Sequence, residues 1–106
     1  MTSQNNQSRV SCYIKQAFTN TCVQYTFPTS IKVSTFIEES KKLFIDIMNV
    51  EPEKMEIVEA GQEIPNTAPE CAHQMEMEEM TMQDKYGENI KYKAFYVRYA
   101  RTPTYI

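Results

Sequence analysis

Cys71, His73, Met75 and Met77 alternate strictly along the chain. In an extended segment, side chains two apart point to the same face, so all four would line one side. Thiolate, imidazole and thioether are soft donors, and together they suit Cu(I). A competing use is plainer. Methionine is flexible and polarisable, and it fills irregular gaps in cores and interfaces. Glu76, Glu78 and Glu79 are distributed around the same stretch. Packing or interface use is the preferred reading, and no metal or cofactor is assigned. His73 is also the single histidine, two residues from Cys71. A Cys-His dyad needs a stabilised thiolate and an oxyanion donor. The chain has only two glycines, Gly61 and Gly87. No phosphate loop or dinucleotide fingerprint can be built from them. The expectation is a protein that is not an enzyme.

A second set of residues could meet nucleic acid. Arg9, Lys15, Lys91, Lys93, Arg98 and Arg101 lie near Tyr13, Tyr92 and Tyr96, if the first and last strands are neighbours. Such residues hold phosphates and stack on bases. The chain is acidic, with a sequence pI near 5.2, and the patch is small, which disfavours nucleic acid. Tyr and Arg are equally the residues enriched where proteins meet proteins. No apolar run approaches the roughly 18–20 residues that span a bilayer, so no membrane partner is expected.

The charge is unevenly spread. All 14 acidic residues fall between Glu38 and Glu88, with only Lys41, Lys42, Lys54 and Lys85 among them. That stretch carries −10, and the flanks carry the other seven bases and no acid, +7. One acidic and one basic surface region is the simplest expectation. Cys12, Cys22 and Cys71 form neither a disulfide framework nor a metal-type spacing. Reduced thiols and the polar, uncharged residues 1–8 point to an intracellular protein without a secretory signal.

These side chains need elements to position them. A chain of 106 residues makes one domain. Residues 9–18 alternate, with Val10, Cys12, Ile14 and Phe18 inward and Arg9, Ser11, Tyr13 and Lys15 outward. Thr19-Asn20 reads as a tight turn. Cys12 would then sit near position 27 and Cys22 near position 17. Val23, Tyr25 and Phe27 point inward on a second strand, which Pro28 ends. Thr35 with Glu38 has the capping-box spacing and opens a helix of about four turns to Asn49. Its apolar stripe is Phe36, Ile37, Leu43, Phe44, Ile47 and Met48. Residues 54–59 form a strand, and Ala60-Gly61 turns the chain. Residues 73–80 are a candidate short strand. Met82 and Tyr86-Gly87 make a compact turn, and 90–99 is the closing strand, with Phe95, Val97 and Tyr99 inward.

This order of elements resembles the ubiquitin-like superfamily. The matching pieces are Phe27-Pro28-Thr29 before the helix, Glu51-Pro52-Glu53-Lys54 after it, Ile57-Val58-Glu59-Ala60-Gly61-Gln62, and Thr81-Met82-Gln83-Asp84 with Tyr86-Gly87. The resemblance implies an α+β, β-grasp fold, with one helix packed on a mixed four- to five-stranded sheet. It covers residues 9–100, with 1–8 as a flexible arm, an insertion at about 62–80 and 101–106 as a tail. Conjugating members end in Gly-Gly, whereas this chain ends Thr102-Pro103-Thr104-Tyr105-Ile106. The resemblance therefore implies recognition rather than conjugation. Val58 falls where the family centres its apolar recognition patch, with Glu59 in place of an aromatic.

The function expected is a non-catalytic protein-protein interaction or structural module. A small subunit of a larger assembly is preferred, such as a minor capsid component of a virion, because polar arms of this type become ordered when clamped between subunits. The alternatives are a free adaptor with one partner, and a copper protein using Cys71, His73, Met75 and Met77. Tyr13, Lys15, Val58, Tyr96 and Arg98 are the expected contact residues, on an exposed sheet face.

Overall fold

The computed structural model describes residues 9–60 and 73–100. In chain order these form β1 (Arg9–Gln16), β2 (Cys22–Pro28), α1 (Val33–Lys42), α2 (Ile45–Met48), a 3-10 turn (Pro52–Lys54), β3 (Met55–Ala60), β4 (His73–Gln74), α3 (Met82–Tyr86), a 3-10 stretch (Gly87–Tyr92) and β5 (Ala94–Tyr99). The sheet order is β2-β1-β5-β3-β4. β1 and β5 run parallel, with Ile14 opposite Phe95, and the other pairs are antiparallel. The opening hairpin and the closing strand are thus neighbours, as the β-grasp order requires. The residues expected to form the arm, the tail and most of the insertion (1–8, 101–106 and 61–72) lie outside the described residues.

The hairpin differs from expectation in its loop. Strand pairing stops at Lys15–Cys22, so the connection is longer than a two-residue turn. The Gln16 N–H donates to the Thr21 carbonyl at 2.9 Å, closing a loop of residues 17–20. The Thr19 hydroxyl donates to the Gln16 carbonyl at 3.0 Å, and the Thr21 N–H returns to Thr19 Oγ1 at 3.1 Å. Cys12 therefore faces Tyr25, two residues from the expected position 27. A shift of two leaves every side chain on its expected face, because the strand period is two.

The inner face carries the main core. Cys12, Ile14, Phe27, Met55, Ile57, Phe95 and Val97 from the strands meet Val33, Phe36 and Ile37 of α1, with Phe44, Met48, Met82 and Tyr86 closing the ends. An aromatic row runs through it. Tyr25–Phe27, Phe27–Phe36 and Phe36–Phe95 ring centroids lie 5.1, 5.1 and 5.0 Å apart, within the range of favourable aromatic pairs. A smaller cluster of Ala17, Val58, Ala94 and Tyr96 occupies the opposite face. The middle of the sheet is buried on both sides, while β1 and β2 expose their outer face.

The helix departs from expectation at both ends. It begins at Val33, and Lys32 occupies the N-cap position with no side-chain cap bond. The Val33 and Ser34 N–H groups donate instead to the carbonyls of Met80 and Glu78, at 2.8 and 2.9 Å. A distant backbone segment satisfies the helix end, so the Thr35–Glu38 box has no work to do. The buried positions Val33, Phe36, Ile37 and Ser40 follow the i, i+3, i+4, i+7 pattern. The last turn then tightens: Leu43 N–H is shared between Glu39 and Ser40, and Phe44 N–H bonds Lys41. The chain restarts as α2 and stops at Asn49, in the left-handed conformation (φ 58°). Phe44 and Met48 are buried across this break, whereas Leu43 and Ile47 face solvent. One uninterrupted stripe was the wrong expectation.

Two further segments differ. The strand expected over 73–80 is limited to His73–Gln74, and the strand expected from Ile90 begins at Ala94. The expected compact turn is α3, where the Thr81 hydroxyl accepts from the Asp84 N–H at 3.0 Å. Met82 and Tyr86 are buried from it, and Gly87 ends it at φ 59°.

Candidate interaction site

Of the soft-ligand set, Met75 and Met77 do not share a face. Met75 is buried in the main core, and its N–H donates to the Ile57 carbonyl at 2.9 Å. Met77 is exposed. Strict alternation ends with β4, so the two thioethers occupy different environments. Cys71 lies outside the described residues. Among the described residues, no group of three or more His, Cys, Asp or Glu is placed to hold a metal, and no helix is long and apolar enough to cross a membrane.

The expected contact face is partly corrected. Tyr13 is 62% exposed on the outer face. Lys15, half-buried, sits opposite Cys22 on one side and Tyr96 on the other. Val58 and Tyr96 are cross-strand neighbours, but their exposures are 0% and 1%. They are core residues of the outer-face cluster and not an open patch. Arg98 is committed: its Nε donates to Glu56 Oε2, its cross-strand neighbour, and both side chains are largely buried.

The same kind of pairing occurs elsewhere between the flanks and the central stretch. Three flanking bases meet acids of the central stretch. Arg98 pairs with Glu56, Lys93 with Glu59 at 3.6 Å, and Lys32 with Glu79 at 3.0 Å. Placing β5 beside β3 brings two of these pairs together. Lys93 and Lys85 also flank the Tyr86 ring, 5.3 and 5.7 Å from its centroid, and Lys85 pairs with Glu78 at 2.8 Å. Burial raises the Tyr86 hydroxyl pKa above its ordinary value, and the Glu59 and Glu78 carboxylates add to the shift. Burial likewise pushes the Cys12 thiol up to about 12, with a smaller contribution from Cys22. Both groups stay protonated and inert, which is a core role.

The surface that sequence reasoning missed lies at the end of the sheet. Phe18, expected inward, is 70% exposed and holds φ 67° in the 17–20 loop. An aromatic residue rarely adopts that backbone conformation. Beside it runs a groove of about 450 Å³, lined by Ala17, Phe18, Met48, Arg98 and Tyr99 among others. Tyr99 is 55% exposed. Its hydroxyl donates to the Met48 carbonyl at 3.4 Å, joining the end of β5 to the end of α2. The Ala17 N–H donates to Val97 at 2.8 Å, which anchors the base of the loop. A firmly held loop thus presents a bare aromatic next to an apolar hollow. The available signal was that inward alternation fails at Gln16, so Phe18 already belongs to the loop. Two exposed aromatics beside a concave apolar surface suit the anchoring side chain of another protein.

No family model and no curated protein sequence matches the chain. Among solved structures, it is similar to the solution structure of the C-terminal ubiquitin-like domain of mouse tubulin-specific chaperone e. The identity is 15% and the TM-score 0.60, over 98% of this chain and 99% of that one. With helices on one side of a mixed sheet whose first and last strands lie parallel at its centre, the chain has a divergent ubiquitin-like, α+β β-grasp fold.

Proposed function

We propose that this chain is a non-catalytic protein-interaction module that serves as a small subunit of a larger assembly, of which a virus particle is one kind. The observation that carries the reading is Phe18, exposed in a left-handed loop conformation beside the groove formed with Met48 and Tyr99. A bulky residue kept in an unfavourable backbone conformation and out of the core has a use other than folding. Tyr13 and Lys15 extend the accessible surface along β1. The place of action is the cell interior, or the virion in the viral case.

Native size measurement tests this. In extracts of the source organism, the wild-type chain is expected to migrate with an assembly far above its own 12.4 kDa. A Phe18→Asn variant should return to low mass while staying folded. Migration with one small partner favours the free adaptor. Wild type running alone removes the subunit reading.

A further inference from the structure

The groove beside Phe18 lies where the chain leaves the sheet. β1 and β5 run parallel with Gln16 opposite Val97, so the 17–20 loop and the end of β5 share one end of the sheet. The Ala100 N–H donates to the Lys54 carbonyl at 2.8 Å, one residue beyond the Met55–Tyr99 pair. The backbone is therefore held as far as Ala100, and Tyr99 is itself a wall of the groove. Whatever follows Ala100 starts within two residues of the hollow.

The residues that follow are Arg101-Thr102-Pro103-Thr104-Tyr105-Ile106. Three features suit them to return to it. Thr102-Pro103-Thr104-Tyr105 sets Pro at the second position of a four-residue turn, where its fixed φ is preferred. The bulky apolar side chains, Tyr105 and Ile106, come at the end of that turn and after it. Arg101 precedes it. Extending the β3–β5 register sets Arg101 beside the 3-10 turn, where Glu51 and Glu53 are exposed and make no ion pair among the described residues. Six residues reach at most about 20 Å, ample for a site that begins at Tyr99.

We infer that residues 101–106 fold back in cis, with Tyr105 and Ile106 seated in the groove against Phe18, Met48 and Tyr99. Phe18 and Tyr99 offer exposed rings there, and ring pairs are favourable contacts. Arg98, the charged residue of the wall, is neutralised by Glu56. A short connection gives the tail a local concentration on the order of millimolar, so the anchoring side chain of a partner enters the groove by displacing it. The docking stands on its own geometry; its use as a gate on partner binding rests on the function proposed above.

NMR of the purified full chain tests the docking. Nuclear Overhauser contacts are expected from the Tyr105 ring and Ile106 methyls to the Met48 methyl and the Phe18 ring, unchanged by protein concentration. A Tyr105→Ser, Ile106→Ser double variant should lose them and shift the Phe18 and Met48 signals. Pro103→Gly should weaken them. Absence of the contacts in wild type overturns the inference. So do contacts that grow with concentration alongside a doubled mass, which place the tail on a second copy, and Phe18 and Met48 signals indifferent to the double variant. Extracts of the source organism test the gate. Mixed in equal amounts, the double variant should enter the assembly severalfold in excess of wild type, and equal entry overturns the gate. The two readings fail differently. Missing contacts in a chain that still migrates with an assembly sink the docking alone, whereas contacts in a chain that runs alone sink the subunit reading alone.

Discussion

Replacing Phe18 by Asn should make this protein slightly more stable while removing its proposed binding anchor. Phe18 sits at φ 67°, where a residue other than Gly, Asn or Asp pays about 1–2 kcal/mol. Asn tolerates that region. Against this gain stands the lost packing of the ring. Full burial of a Phe side chain contributes about 1.5–3 kcal/mol, and only a minor part is realised at 70% exposure. The lost packing is then about 0.6 kcal/mol, and the net change for Asn is a stabilisation of about 0.5 kcal/mol. Phe18→Ala loses the same packing but keeps the backbone penalty, so it should be destabilised by about 0.6 kcal/mol. The two variants should therefore differ by about 1 kcal/mol, or about 4–8 °C in melting temperature. Urea unfolding and calorimetry at low protein concentration measure both. If Asn is as destabilising as Ala, the strain argument fails. If both cost more than about 2 kcal/mol, Phe18 is a packing residue and the interaction reading loses its main support.

Other substitutions probe the buried polar groups. Arg98→Leu leaves Glu56 buried without its partner, and should cost about 3 kcal/mol in urea unfolding, most of it recovered in the double variant with Glu56→Gln. Ser40 is fully buried, and its hydroxyl has no hydrogen-bond partner among the described residues. Ser40→Ala should therefore stabilise the fold by about 1 kcal/mol, seen as a raised melting temperature. Cys12 keeps its proton in the folded state to about pH 12, against an ordinary value of 9.0. Its contribution is complete below pH 9 and is lost as pH rises from 9 toward 12, with a limiting slope of about 1.4 kcal/mol per pH unit. Urea midpoints should fall over that range, and less steeply in Cys12→Ala, with Tyr86 adding its own loss above pH 10. Cu(I) titration should give the same isotherm for wild type and a His73→Ala, Met75→Ala double variant, because Met75 belongs to the core. A clear loss in the double variant would revive the copper reading.

The elements were legible because local rules specify them. Alternation of Val10, Cys12 and Ile14, the punctuation by Pro28, and the compact turn at Met82 and Tyr86-Gly87 act within a few residues of themselves. Their order was enough for the β-grasp, and a two-residue error in hairpin register did no harm, since strand faces repeat every two residues. What surrounds each element was not legible. The first turn of α1 is satisfied by carbonyls at positions 78 and 80, far along the chain. Val58 and Tyr96 alternate outward as expected, yet both are buried, in a cluster with Ala17 and Ala94 on that face. Two flanking bases, Arg98 and Lys93, pair with Glu56 and Glu59 of the acidic stretch across neighbouring strands, a match between residues far apart along the chain. Phe18 became a surface anchor because the hairpin closes at Gln16. The sequence by itself determined the order of the main strands and helix and which way the side chains of β1 and β2 alternate. Only the tertiary structure decided which outward faces meet water, because exposure depends on what long-range pairing brings alongside.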